Sequence, residues 1–257
     1  MFTQNLFREI LSPLDQFEIR DILNLEILGG NLLHLALTNI GLYLVIGGLI
    51  TLILSLVPTN YNKLVSNNWS IAQESLYVTK YNIVTNQINA RHGQIYFPFI
   101  YTLFVFILIN NIIGMVPYSF ASTGHFALTF ALSFTIVLGA TILGFKKHGL
   151  KFFSLLVPAG CPLGLLPLLV TIEFISYLAR CVSLGLRLGA NIVAGHMLLS
   201  ILSGFVYNIM NSGIILGLIP LFFIIAFSGL EFAIAFIQSQ VFVVLSSSYL
   251  KDGLDLH

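Results

Sequence analysis

The chain has little charge. Only 8% of its 257 residues are Asp, Glu, Lys or Arg, against about 25% in an ordinary soluble domain. That deficit excludes a water-soluble globular fold, and the long apolar runs point to membrane helices rather than a barrel. Cysteine is nearly absent. Cys161 and Cys181 both lie in apolar sequence, too few and too badly placed for a disulfide framework or a metal site. A formal net charge of +1 gives no attraction to nucleic acid. The sequence has no Gly-x-x-x-x-Gly-Lys phosphate loop, zinc motif or nucleophile motif, so it offers no nucleotide, metal or cofactor site. The first ten residues lack the basic start and apolar core of a secretory signal, and they are not an Arg-rich import presequence. No internal repeat or second domain is visible.

What is present reads as one all-α polytopic membrane domain with about five membrane-embedded helices. Residues 1–30 are acidic and read as an N-terminal surface segment. Spans are expected at 35–57, 97–115 and 127–145, bounded by Pro58 and by Lys146, Lys147 and His148. Residues 68–88 mix Ile71, Leu76, Val78, Ile83 and Val84 with Gln, Glu, Lys, Thr and Asn, a pattern suited to an amphipathic helix on the membrane surface. Two apolar stretches, 165–206 and 213–250, are too long for simple spans. As helices they would run roughly 55–63 Å, about twice the hydrocarbon thickness. They are expected to form a hairpin of two long, steeply tilted helices. Basic residues crowd one side of this topology: Lys63, Lys80, Arg91, Lys146, Lys147, Lys151 and Lys251, against Arg8 and Arg20 on the other. Positive-inside counting puts the N-terminus outside and the C-terminus inside.

From Phe152 to Leu250 the only formal charges are Glu173, Arg180, Arg187 and Glu231. A guanidinium near the bilayer centre costs about 2.5–3.5 kcal/mol on insertion scales, and Arg cannot shed its proton to escape that cost. Glu173, Arg180 and Arg187 are seven apart, so they share a helix face; Asn191 adjoins it. Glu231 and Gln238 share a face on the last helix. The two helices run in opposite directions. Glu173 and Asp252 therefore lie toward the inside and His196 and Glu231 toward the outside, with Arg187 between. Carboxylates and an imidazole take up and release protons; a guanidinium between two such groups blocks direct leakage and pairs with a carboxylate from another helix. Glu173 and Arg180 also read as one structural salt bridge, and Asn191 and Gln238 as interhelical hydrogen bonds. Gly185-x-x-x-Gly189 reads as close helix packing. Asn110 and Asn111 carry no clear reading, and the remaining histidines, among them His125, read as unremarkable span-end or loop residues.

The stretch Ser183-Leu-Gly-Leu-Arg-Leu-Gly-Ala-Asn-Ile-Val-Ala-Gly-His196 closely resembles the signature of subunit a of F-type rotary ATP synthases. Ser12–Arg20, Val157–Gly160 and Ser248–Asp252 look like the fungal mitochondrial form. The resemblance implies a stator subunit against a ring of c subunits, each with one membrane carboxylate. It also implies contact with the peripheral stalk and other membrane subunits, in the mitochondrial inner membrane. It makes Arg187 the essential arginine, His196 and Glu231 the outer half-channel, Glu173 and Asp252 the matrix-side exit, and Asn191 and Gln238 polar neighbours of the arginine. ATP chemistry would belong to partner subunits. Two other classes stay open on the residues alone. A secondary transporter would show two related halves with broken helices, and a purely structural subunit would need no Arg187.

Overall fold

A computed structural model describes residues 13–26, 34–58, 67–88, 90–116, 119–157 and 164–254. Residues 1–12, Lys63, Cys161, His257 and most of Val157–Gly160 lie outside that description. Among the described residues six α-helices carry the fold: α1 (Asn39–Leu56), α2 (Asn68–Ile88), α3 (Ala90–Gly114), α4 (Phe126–His148), α5 (Leu166–Ser212) and α6 (Ile214–Leu254). Five of the helical stretches are long and apolar enough to cross a membrane; α2 is the exception. The chain is an all-α polytopic membrane protein, and α5 and α6 form its long C-terminal hairpin. At 47 and 41 residues they extend roughly 60–70 Å.

The N-terminal segment adds a feature that sequence patterning did not yield. Strands β1 (Asp21–Glu26) and β2 (His34–Thr38) pair antiparallel, with Glu26 opposite His34. The segment is stitched to the start of α1. Thr38 caps that helix by accepting from Gly41 N–H at 3.4 Å, and the Asn39 side-chain amide donates to the Glu18 carbonyl at 3.0 Å.

α6 is the hub. It packs on α2, α3, α4 and α5, whereas α5 packs chiefly on α4 and α6, leaving one flank uncovered by the described residues. One apolar cluster joins Val84, Ile88, Phe97, Phe104, Val243 and Leu250 across α2, α3 and α6. A second joins Ile107, Ile136, Leu184, Leu188 and Phe242 across α3, α4, α5 and α6. The C-terminal end of α6 is tied down where Lys147 Nζ and the His148 ring each meet the Leu254 carbonyl at 2.8 Å; basic groups at a helix C-terminus satisfy its last carbonyls. α4 stops at Gly149, whose φ of 56° favours glycine.

α2 packs with a face that its composition did not single out. Lys80, Val84 and Ile88 are its buried residues, while Trp69, Ile71 and Val78 are exposed. Lys80 is 2% exposed. Its ammonium meets the Gln240 side chain and sits 3.7 Å from the centre of the Phe104 ring, so a polar contact and a cation–π contact replace its lost water.

Candidate functional site

The orientation of α5 follows from its glycines. A Cβ on Gly185 would lie 2.9 Å from both Phe130 and Ser133, and one on Gly189 would lie 3.0 Å from Phe126. Both positions therefore press against α4 at a separation only glycine permits. Arg187 stands two residues from each, about 200° around the helix. The glycines thus aim Arg187 directly away from the packed seam, and it is exposed beside buried Leu184, Gly185, Leu188 and Gly189. It borders an open trough of about 700 Å³ lined otherwise by Ile175, Leu178, Ala179, Val182, Ser183, Leu186 and Ala190. Arg187 makes no salt bridge with any described residue.

Arg180, one heptad earlier on the same face, is saturated. Its guanidinium donates to Asp252 Oδ2 at 2.8 Å and lies 3.6 Å from Glu173 Oε1. The three side chains are each about one-third exposed. Sequence spacing gave the Glu173 pairing; Asp252, which arrives from the far end of α6, completes it.

The hairpin is antiparallel in its side chains as well as its axes. As α5 advances from Arg180 through Asn191 to His196, its partners on α6 retreat from Asp252 through Gln238 to Glu231. Asn191 Nδ2 donates to Gln238 Oε1 at 2.9 Å. His196 Nδ1 is 3.7 Å from Glu231 Oε1, too long for a hydrogen bond. Glu231 is 5% exposed, and among the described residues neither of its oxygens has a hydrogen-bond partner; His196 Nε2 has none there either. Gly195 lets the carboxylate in: a Cβ there would lie 2.7 Å from Glu231 Oε1. Buried polar atoms without protein partners need water or a moving proton to satisfy them.

His196 and Arg187 do not share a face. Nine residues on a helix is about two and a half turns, so His196 points to the glycine side, toward α3 and the N-terminal segment. Glu231 bridges the two sides. It touches His196 on one and on the other lines a cavity of ≈ 410 Å³ that also contains Asn191 and Gln238.

Two neighbours of His196 were not legible as site residues. A Cβ on Gly114 would stand 3.9 Å from its Nε2, and the Phe17 ring meets it edge-on at 6.2 Å. Phe17 meets His125 in the same way at 6.4 Å. Asn110 and Asn111 also find their place here. Asn110 accepts from Ser122 Oγ at 3.3 Å, and Asn111 donates to the Ala235 carbonyl at 3.3 Å. Phe17, one of three Phe in the acidic segment, gave no signal of contact with a residue some 180 positions further along the chain.

The fold and this site define a multi-pass α-helical membrane protein. One long hairpin carries a line of titratable side chains and an arginine turned outward that pairs with no carboxylate among the described residues. Residues 41–251 match the family described as the ATP synthase A chain, and the chain belongs to that family. It is 74% identical over 256 residues to ATP synthase subunit a of Neurospora crassa, covering 98% of this chain and 97% of that protein. It is 72% identical to ATP synthase subunit a of Podospora anserina, covering 99% and 98%. It is likewise 72% identical to that of Emericella nidulans, covering 98% and 99%.

Proposed function

We propose that the chain is the proton-conducting stator subunit of a rotary ATP synthase. The observation that carries the reading is Arg187: an exposed guanidinium on an open apolar trough, with no carboxylate partner among the described residues, between two separated groups of titratable residues. A cation left on an apolar surface needs a counter-charge from elsewhere. The ring of c subunits implied by the resemblance supplies one as a membrane carboxylate, and peripheral-stalk and other membrane subunits complete the assembly.

A proton from the N-terminal side reaches His196, passes to Glu231 across their 3.7 Å gap by way of water, and enters the Asn191–Gln238 cavity. There it neutralises a ring carboxylate, which then tolerates lipid. A carboxyl arriving from the other direction releases its proton toward Glu173 and Asp252 and passes Arg187 ionised. Arg187 itself holds its proton throughout, so the two half-paths stay separate. Each elementary charge that crosses is worth about 2.3 kcal/mol per 100 mV, so several must cross for each ATP. ATP chemistry belongs to partner subunits. The fungal relatives support the mitochondrial inner membrane, and the basic-residue count supports an N-terminus in the intermembrane space and a C-terminus in the matrix.

The test is ATP-driven proton pumping in membranes carrying Arg187→Ala, with assembly confirmed first. An assembled complex that hydrolyses ATP without pumping is expected. Normal pumping would reduce Arg187 to a structural role and overturn the reading.

A further inference from the structure

The outer path as described begins at His196, but that imidazole does not reach the solvent-facing cavity beside it. The cavity, ≈ 460 Å³, is lined by Asp15, Phe17, Glu18, Gly124, His125 and Val193 among others. His196 is absent from the lining and its side chain is 14% exposed. Phe17 is what the two share. Its ring faces the cavity and meets the His196 and His125 rings edge-on, each at an interplanar angle of 77°. Gly124 makes room for it, since a Cβ there would stand 2.7 Å from Phe17 Cε1. The ring is held from behind: Asn39 donates its side-chain amide to the Glu18 carbonyl and its backbone N–H to the Arg20 carbonyl, at 3.0 and 3.1 Å. Glu18 is paired with Arg20 at 3.1 Å, whereas Asp15 forms no ion pair with a described residue. The cavity mouth thus keeps one uncompensated carboxylate, and an apolar ring closes its floor.

We propose that Phe17 is the outer gate of the proton path, closing the passage between the Asp15-lined cavity and His196. The proposal rests on the proton-path reading above. An apolar ring between two polar compartments excludes water while it is in place, and water must pass its edge before His196 can exchange protons with the outside. Asp15 gives the mouth a negative potential that concentrates cations there. Phe17 is a positioning residue in this scheme, since it carries no proton itself.

The experiment uses the assembled complex in vesicles with the N-terminal face outward. Cys161→Ala and Cys181→Ala remove the native thiols, and Ala121→Cys, at a buried position outside the cavity lining and beside Gly114 and His196, places one behind the ring. The readout is its rate of modification by membrane-impermeant thiol reagents, cationic and anionic. Phe17→Ala is expected to raise the rate about tenfold, because a half-buried aromatic ring no longer has to be displaced. Phe17→Leu, which refills the space, should return it toward the parent value. Gly124→Ala pushes the ring aside without removing it, so it should also raise the rate and serves if Phe17→Ala fails to assemble. Asp15→Asn should abolish a preference for the cationic reagent. Rates that stay flat in both Phe17→Ala and Gly124→Ala overturn the gate. That outcome is separable from failure of the proton-path reading, which would appear as normal pumping in Arg187→Ala whatever the labelling does.

Discussion

Arg180 and Arg187 lie on one face of one helix, two turns apart, and the fold treats them in opposite ways. Arg180 is held by Asp252 at 2.8 Å and Glu173 at 3.6 Å; Arg187 meets no carboxylate among the described residues and faces an open apolar trough. The insertion cost of the two side chains is similar, so the difference lies in where repayment comes from. For Arg180 it comes from within the chain, and for Arg187 it must come from a second molecule. A membrane arginine whose own chain ignores it therefore marks an interface more strongly than one buried in a salt bridge. The two ends of the hairpin repeat the contrast. The Arg180 end is a closed ion network, while the His196–Glu231 end leaves three buried polar atoms unbonded.

The largest expected break of that contrast is Arg187→Ala. It removes a side chain with no carboxylate partner among the described residues, so melting of the assembled complex should shift little, within about 0.5 kcal/mol. Coupled pumping should fall roughly a hundredfold or more, the scale of losing a preorganised charge at the reacting position. Arg180→Ala should invert the pattern. It leaves Glu173 and Asp252 facing each other without their cation, and the cost should be about 1–2 kcal/mol after allowing for their partial exposure. Combining Arg180→Met with Glu173→Gln and Asp252→Asn should recover most of that in a thermal melt. If the single and triple variants melt alike, the network is not what stabilises this end.

How much of this could be read beforehand depended on whether the signal was local. Run length and charge scarcity gave the five spans and the long hairpin, because the bilayer imposes one length scale on every helix. Heptad spacing gave the shared face of Glu173, Arg180 and Arg187. Other features depended on chain segments remote in sequence. Asp252 reaches Arg180 from 72 residues away, and Phe17 reaches His196 from the far end of the chain. The opposite facing of His196 and Arg187 was a different case. It follows from helical rotation, nine residues being about two and a half turns, but an ordering by depth does not carry it. The β1–β2 pair escaped notice because Asp21–Glu26 is short and polar at both ends, which gives a weak alternation signal.

A milder perturbation leaves both arginines in place and moves only their helix. Gly185→Ala would put a methyl 2.9 Å from Phe130 and Ser133 and 3.2 Å from the Thr129 carbonyl. Backbone cannot yield as a side-chain tip can, so α5 must shift off α4, at a cost of about 1–2 kcal/mol. Arg187, opposite that seam, should be displaced toward its partner. Pumping per assembled complex should drop several-fold, of order 1 kcal/mol in the coupled step, while the Arg180 network is expected to hold. Undiminished pumping would show that the aim of Arg187 does not depend on the glycine seam.

The smallest expected effect concerns a third cation, which fits neither pattern. Lys80 is buried like a core residue, yet its ammonium has a Gln240 amide oxygen and the Phe104 ring in place of a carboxylate. Burial pushes its pKa down to about 8 from 10.5, the direction expected when desolvation penalises the charged form. Because the folded-state pKa is the lower of the two, the unfolded chain binds more protons between about pH 8 and 10.5, and stability must rise with pH through that window. Below about pH 8 both states are protonated and the penalty is constant. Lys80→Met should remove the pH-dependent part. Near pH 7 the loss of the buried charge and the orphaning of Gln240 oppose one another, leaving a net change of roughly 1 kcal/mol or less. Melting of the purified complex from pH 7 to 10 reads this directly: the parent should gain stability relative to Lys80→Met as pH rises. Parallel curves would mean that Lys80 keeps its water or has an anionic partner, which would place it with Arg180 after all.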